Sequence, residues 1–142
     1  GVGLGDILGR VQAPKRLGLD REAEVLKAAR FCVKGPVAFA TADFTEPDQI
    51  ISALKQNNFS SADVMILVNW IHMIEMDVIA NTLATVSRAV PIRHIVMDTI
   101  RPGTPGYRFT HTENDLRRLG EIKTKIAADD VRDLMIINVK SS

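Results

Sequence analysis

Cysteine occurs once in this chain of 142 residues, at Cys32. An intramolecular disulfide is therefore excluded, and a zinc site built on cysteines lacks its ligands. A lone thiol fits a reducing compartment, so a cytoplasmic location is the expectation. Strong charge of one sign is also lacking. The net charge is +1, and the basic residues are dispersed along the chain. That leaves no clustered basic face for nucleic acid. No apolar run reaches the length of a transmembrane helix, and no signal-peptide pattern is visible. Repeats, low-complexity tracts and long linkers are missing as well. Hydrophobic residues at 46% and charged residues at 25% suit a soluble globular domain with a substantial core. The chain reads as one domain, 1–142.

Apolar runs alternate with amphipathic stretches, which predicts an α/β fold. Residues 6–11 read as a short helix and 16–19 as a short buried strand. Residues 21–29 are rich in Ala, Glu, Leu and Lys, as helices are. Pro36 leads into a strand at 37–40. Ile50, Ile51 and Leu54 line one face of the next helix. Val64-Met65-Ile66-Leu67-Val68 is the pattern of a central parallel strand buried on both faces. Ile79, Leu83, Val86 and Val90 recur at helical spacing within 76–90, and Pro91 ends that helix. A further strand at 95–97 is predicted to end at Asp98. Residues 101–112 contain two Pro and two Gly and read as a loop. A short helix follows at 113–119, where Glu113 and Asp115 suit the helix N-terminus and Gly120 suits its end. Segments 122–127 and 134–139 are strand-like and too close together for a helix between them. They must therefore pair antiparallel.

The start of the chain carries the strongest motif. Gly1-Val2-Gly3-Leu4-Gly5 is followed by Asp20, at the end of a short strand. Glycines let backbone approach a nucleoside ligand, and an acid at that distance accepts hydrogen bonds from ribose hydroxyls. A dinucleotide fingerprint would need Gly or Ala at position 6, and the chain has Asp6. Asn69 lies where the strand at 64–68 becomes a loop, at the end of a parallel strand where open α/β sheets place ligands.

With these elements in this order, the chain resembles the class I S-adenosylmethionine-dependent methyltransferases over nearly its whole length. The resemblance implies a Rossmann-like three-layer sandwich, with a mostly parallel sheet closed by a C-terminal antiparallel hairpin. It implies that Gly1, Gly3 and Gly5 form the cofactor loop. Asp20 would bind the ribose, and Asp43-Phe44 would meet the adenine. Asn69 and Trp70 would lie beside the methionine moiety. That family carries a strand and an acid before the glycine loop. The pattern therefore predicts residues upstream of Gly1 that supply the strand and make this domain N-terminally incomplete. A sheet lacking a central strand is also compatible with a homodimer.

Methyl transfer from S-adenosylmethionine to a small-molecule O, N or C nucleophile is the function so implied. His72 and His111 are the candidate catalytic bases, with Asp98 available to orient one of them. Tyr107 and Arg108 share the loop that contacts substrate in this family, and Arg108 suits an acidic substrate group. His94, beside Arg93, reads as structural or surface. No metal is expected, because nothing in the spacing of His72, Asp98 and His111 demands one. Neither a nucleic-acid partner nor a membrane is indicated. Two other functions stay open. One is a non-catalytic binding or scaffolding domain of this fold. The other is an NAD-dependent oxidoreductase, against which Asp6 and the antiparallel tail both count.

Overall fold

Leu26 and Ala29, then Ile50, Ala53 and Leu54, then Ile79, Leu83 and Val86 recur at helical spacing, and each set is the buried face of one helix. The computed structural model that shows this describes residues 2–139, with side chains from Gly5 onward. The chain divides into two units, Gly1–Ser60 and Ser61–Ser142.

The first unit runs α1 (Val2–Arg10), β1 (Leu17–Asp20), α2 (Ala23–Cys32), β2 (Ala38–Thr41) and α3 (Pro47–Gln56). Strands β1 and β2 pair in parallel, with Leu17 opposite Ala38 and Asp20 opposite Thr41. A parallel pair needs a crossover, and α2 supplies it. The glycine motif does not form the expected cofactor loop. Gly3 and Gly5 lie inside α1, and Gly1 falls outside the described residues. Glycine costs a helix about 1 kcal/mol relative to alanine, so a packing reason is needed. A Cβ on Gly5 would stand 3.1 Å from both the Ala29 Cβ and the Val33 Cγ2. Gly9, one turn on, faces the same Val33 at 3.4 Å. These glycines let α1 approach α2 closely.

The second unit runs β3 (Ala62–Leu67), a 3₁₀ turn (Trp70–Met73), α4 (Met76–Ala89), β4 (Ile92–Ile100), α5 (Glu113–Leu116), β5 (Gly120–Ala127) and β6 (Arg132–Val139). Its sheet has the order β3-β4-β6-β5. Strand β3 pairs with β4 in parallel, and β6 pairs antiparallel with both β4 and β5. The closing hairpin is as predicted. "Mostly parallel" is too strong, because two of the four ladders are antiparallel. Ile95, Met97, Met135 and Ile137 are fully buried, and with Ile79 and Val86 they form the core.

Other expectations change in this unit. Strand β3 has the apolar pattern of a central strand buried on both faces, yet among the described residues it pairs only with β4. Val64 is accordingly 49% exposed. Strand β4 does not end at Asp98 but runs on to Ile100, since β6 pairs with it as far as the Ile100–Arg132 position. Gly120 does not cap α5; it begins β5 opposite Val139. Glycine is required at this strand position because a Cβ there would overlap the Asn138 carbonyl oxygen. Among the described residues, no helix is long and apolar enough to cross a membrane.

Because that carbonyl belongs to paired backbone, it cannot turn aside as a side chain would. Gly120→Ala is expected to cost about 1–3 kcal/mol through overpacking. Urea unfolding checks this, and an unchanged midpoint would refute the packing explanation.

Candidate functional site

In the second unit the site begins where β3 ends. Asn69 has φ +77° and ψ −60°, and the Trp70 N–H donates to the Val68 carbonyl at 3.1 Å. This is a γ-turn of the rare, strained kind. Strain of this type costs about 1–3 kcal/mol and persists only where neighbours impose it. Asp98 does so: its Oδ1 accepts the Asn69 N–H at 3.0 Å. An Arg132 Nη1 also reaches the Asn69 Oδ1 at 3.5 Å. The 3₁₀ turn that follows buries Ile71 and His72 and leaves Trp70 and Met73 exposed. Residues three apart eclipse in such a turn, so Trp70 and Met73 share its outer side.

His72 is fully buried. Its Nε2 lies 3.0 Å from the same Asp98 Oδ1. An oxygen that already accepts the Asn69 N–H acts as acceptor for the ring as well. Nε2 therefore carries the proton, and Nδ1 is the basic nitrogen. Neither His72 Nδ1 nor Asp98 Oδ2 has a hydrogen-bond partner among the described residues. The His111 ring stacks on His72 with centroids 5.2 Å apart, and Tyr107 meets His72 edge-on at 5.6 Å.

The His111 Nε2 approaches the Ile71 carbonyl at 3.3 Å. Burial lowers the His111 pKa and the nearby His72 lowers it further, while the Ile71 carbonyl and Asp115 act the other way. His111 also borders a cleft of about 280 Å³ with Glu75, Asp77 and Phe109. The structure thus brings His72, His111, Asp98 and Tyr107 together. Arg108 instead extends over the Phe109 ring, 5.2 Å from its centroid. His94 is half-buried within β4, away from the loops. Among the described residues, no three His, Cys, Asp or Glu side chains are grouped as a metal site requires.

In the first unit Asp20 and Ala42 mark the carboxyl ends of the paired strands, where the Ala42 N–H donates to the Asp20 carbonyl at 3.0 Å. The Asp20 Oδ1 accepts the Glu22 N–H at 2.9 Å. Partial burial raises its pKa, but hydrogen bonds including that from Glu22, and the Arg21 charge, outweigh this and hold the group below its ordinary value. The Asp43 Oδ1 accepts the Thr45 N–H at 2.9 Å and the Thr45 hydroxyl at 2.8 Å. Those bonds lower its pKa too. Phe44 is half-buried in the same turn. Both acids are therefore ionised at neutral pH, beside adjacent strand ends.

Sequence reading missed Arg132 and Phe109. Arg132 sits 63 positions from Asn69 and reaches it only through the β4–β6 register. Phe109 donates its backbone N–H to the His72 carbonyl at 2.9 Å. Backbone contacts of that kind leave no mark on residue type.

No protein-family model matches the chain, and no curated protein matches it. Solved structures do. An S-adenosylmethionine-dependent methyltransferase from Anabaena variabilis is 12% identical with a TM-score of 0.64, over 89% of this chain and 69% of its own. LepI, solved in complex with S-adenosylmethionine, is 13% identical with a TM-score of 0.64. That match covers 98% of this chain but only 39% of LepI. The methyltransferase domain of bacterial CtHen1-C is 13% identical with a TM-score of 0.62, over 99% of this chain and 86% of its own. The chain therefore has the α/β, Rossmann-like fold of class I S-adenosylmethionine-dependent methyltransferases.

Folded His111 binds its proton more weakly than the unfolded chain does. Its contribution to stability is thus complete above the ordinary histidine value near 6.5 and is lost as pH falls below it. Melting temperature is expected to drop between pH 7.5 and 5.5, and less steeply in His111→Gln. An identical slope in the two proteins would contradict the assignment.

Proposed function

We propose that the chain binds S-adenosylmethionine and transfers its methyl group to a small molecule. The observation that carries this is the pair of ionised acids, Asp20 and Asp43, beside the ends of adjacent parallel strands in a fold shared with methyltransferases. They fit the nucleoside part of the cofactor. Asp20 suits the ribose hydroxyls; Asp43, with Phe44 beside it, suits the adenine. Gly3 and Gly5 enter the proposal as the first turn of α1 rather than as a loop. Asn69 and Trp70 are assigned to the methionine end.

The bound cofactor supplies an electrophilic methyl group on a sulfonium, so the protein has only to position and deprotonate the acceptor. The Asp98–His72 pair suits deprotonation. Asp98 holds the Nε2–H tautomer, and His72 Nδ1 takes the proton from an acceptor hydroxyl as its oxygen attacks. His111, stacked on His72 and kept neutral by burial, is the second candidate base. Tyr107 and Arg108 are assigned to the substrate, and a hydroxyl-bearing acceptor suits the histidine pair. The cytoplasmic location, and the homodimer as assembly, belong to this same proposal.

Calorimetric titration of S-adenosylhomocysteine, with NAD as control, tests it. Saturable binding of the first ligand alone is expected. Asp20→Ala should weaken that binding about tenfold or more, because a buried ribose hydroxyl then loses a charged acceptor. Equal affinity in Asp20→Ala and the parent would remove Asp20 from the site, and preference for NAD would replace the cofactor class.

A further inference from the structure

His72 is fully buried, yet the base just proposed must meet an acceptor. Some part of its enclosure has to move. Asp98 lies within β4, where β6 pairs with it, and is itself fully buried, so it belongs to the fixed side. The movable side consists of Tyr107 and His111, which meet the His72 ring edge-on and face-on.

Both residues belong to the segment between β4 and α5. Its ends are pinned. The Arg101 N–H donates to the Val131 carbonyl at 2.9 Å, and Thr112 forms a reciprocal capping box with Asp115. Its middle is held lightly. Among the described residues, one backbone hydrogen bond joins positions 102–111 to another element, from the Phe109 N–H to the His72 carbonyl. Hydrogen bonds from His111 to the Ile71 and Ile74 backbone and the rings on His72 add to the attachment. Two Pro-Gly pairs precede the covering residues, Pro102-Gly103 and Pro105-Gly106. Gly103 has φ +82° and Gly106 φ +87°, and a Cβ on either would meet nothing within 4 Å. The first pair is closed by the Thr104 N–H donating to the Arg101 carbonyl at 3.2 Å, as in a type II turn. These turns keep their shape because of backbone conformation, not packing.

We propose that residues 102–111 form a strap that lifts on the joints at Gly103 and Gly106, uncovering His72 for its acceptor and closing over it afterwards. Its use as a gate rests on the methyl-transfer reading; the lifting itself does not. When the strap is down, Phe109 is tied to the 3₁₀ turn and His72 is sealed. When it is up, the Phe109 amide and the His72 ring reach solvent together while β4 stays paired.

Amide hydrogen exchange of the intact chain tests the lifting, with carbethoxylation of His72 by diethyl pyrocarbonate as a second readout. The Phe109 amide is expected to exchange about tenfold or more faster than the β4 amides, as a locally opening segment does. Gly106→Ala disfavours the positive φ of the closed strap. It should speed both Phe109 exchange and His72 modification several-fold without changing β4. If Phe109 and His72 react only at the rate at which β4 opens, in parent and variant alike, the strap is refuted. If Gly106→Ala does not fold, the comparison of Phe109 with β4 in the parent decides alone. Neither readout uses the cofactor. Failure to bind S-adenosylhomocysteine would remove the methyl-transfer reading and leave the strap standing, and a strap that never lifts would leave cofactor binding untouched.

Discussion

One carboxylate oxygen, Asp98 Oδ1, holds the second unit's site in shape. It accepts the Asn69 N–H and lies within hydrogen-bond distance of the His72 ring, each at 3.0 Å. An acid with no exposed surface is costly to bury unless donors compensate, and these two are its donors. The cost is therefore coupled to the strained turn at Asn69 and to the orientation of His72. Without the shared acceptor, the γ-turn would lose the bond that offsets its strain, and the imidazole would be free to change tautomer. The ring enclosure by Tyr107 and His111 builds on that fixed imidazole.

The glycine-rich start shows how one local pattern serves different ends. Gly1-Val2-Gly3-Leu4-Gly5 has the spacing of a ligand-binding loop. In the structure Gly3 and Gly5 are helical, and Gly5 and Gly9 allow close packing of α1 against Val33 and Ala29 of the neighbouring helical segment. Glycine is required both for backbone approach to a ligand and for backbone approach to another helix. Residue type alone does not separate the two.

Most elements were legible because each has a strong periodic or breaking signal. The face Ile79-Leu83-Val86 marked α4, Pro91 ended it, and the Pro-Gly pairs marked the loop after β4. Misplaced boundaries had partners far away in sequence. Strand β4 runs past Asp98 because β6 pairs with it there, and Gly120 is a strand residue because it pairs opposite Val139, where the Asn138 carbonyl leaves no room for a Cβ. Strand β3 was apolar enough to read as central, but burial depends on neighbours that composition does not specify. His72, Asp98 and His111 were legible as chemistry; their mutual geometry was not.

By itself the sequence determined the α/β alternation, the closing hairpin, the acid at the end of β1 and the set of chemically capable side chains. Hydrophobic period, turn chemistry and residue type are local properties, so they are written in order along the chain. Tertiary structure decided which of these side chains meet. It stacked His111 on His72, gave both Asn69 and His72 the same oxygen of Asp98, and placed Tyr107 across the ring. Those contacts join residues 26 to 39 positions apart. They are set by strand pairing and by the enclosure of buried polar groups, which exist only once the chain has folded.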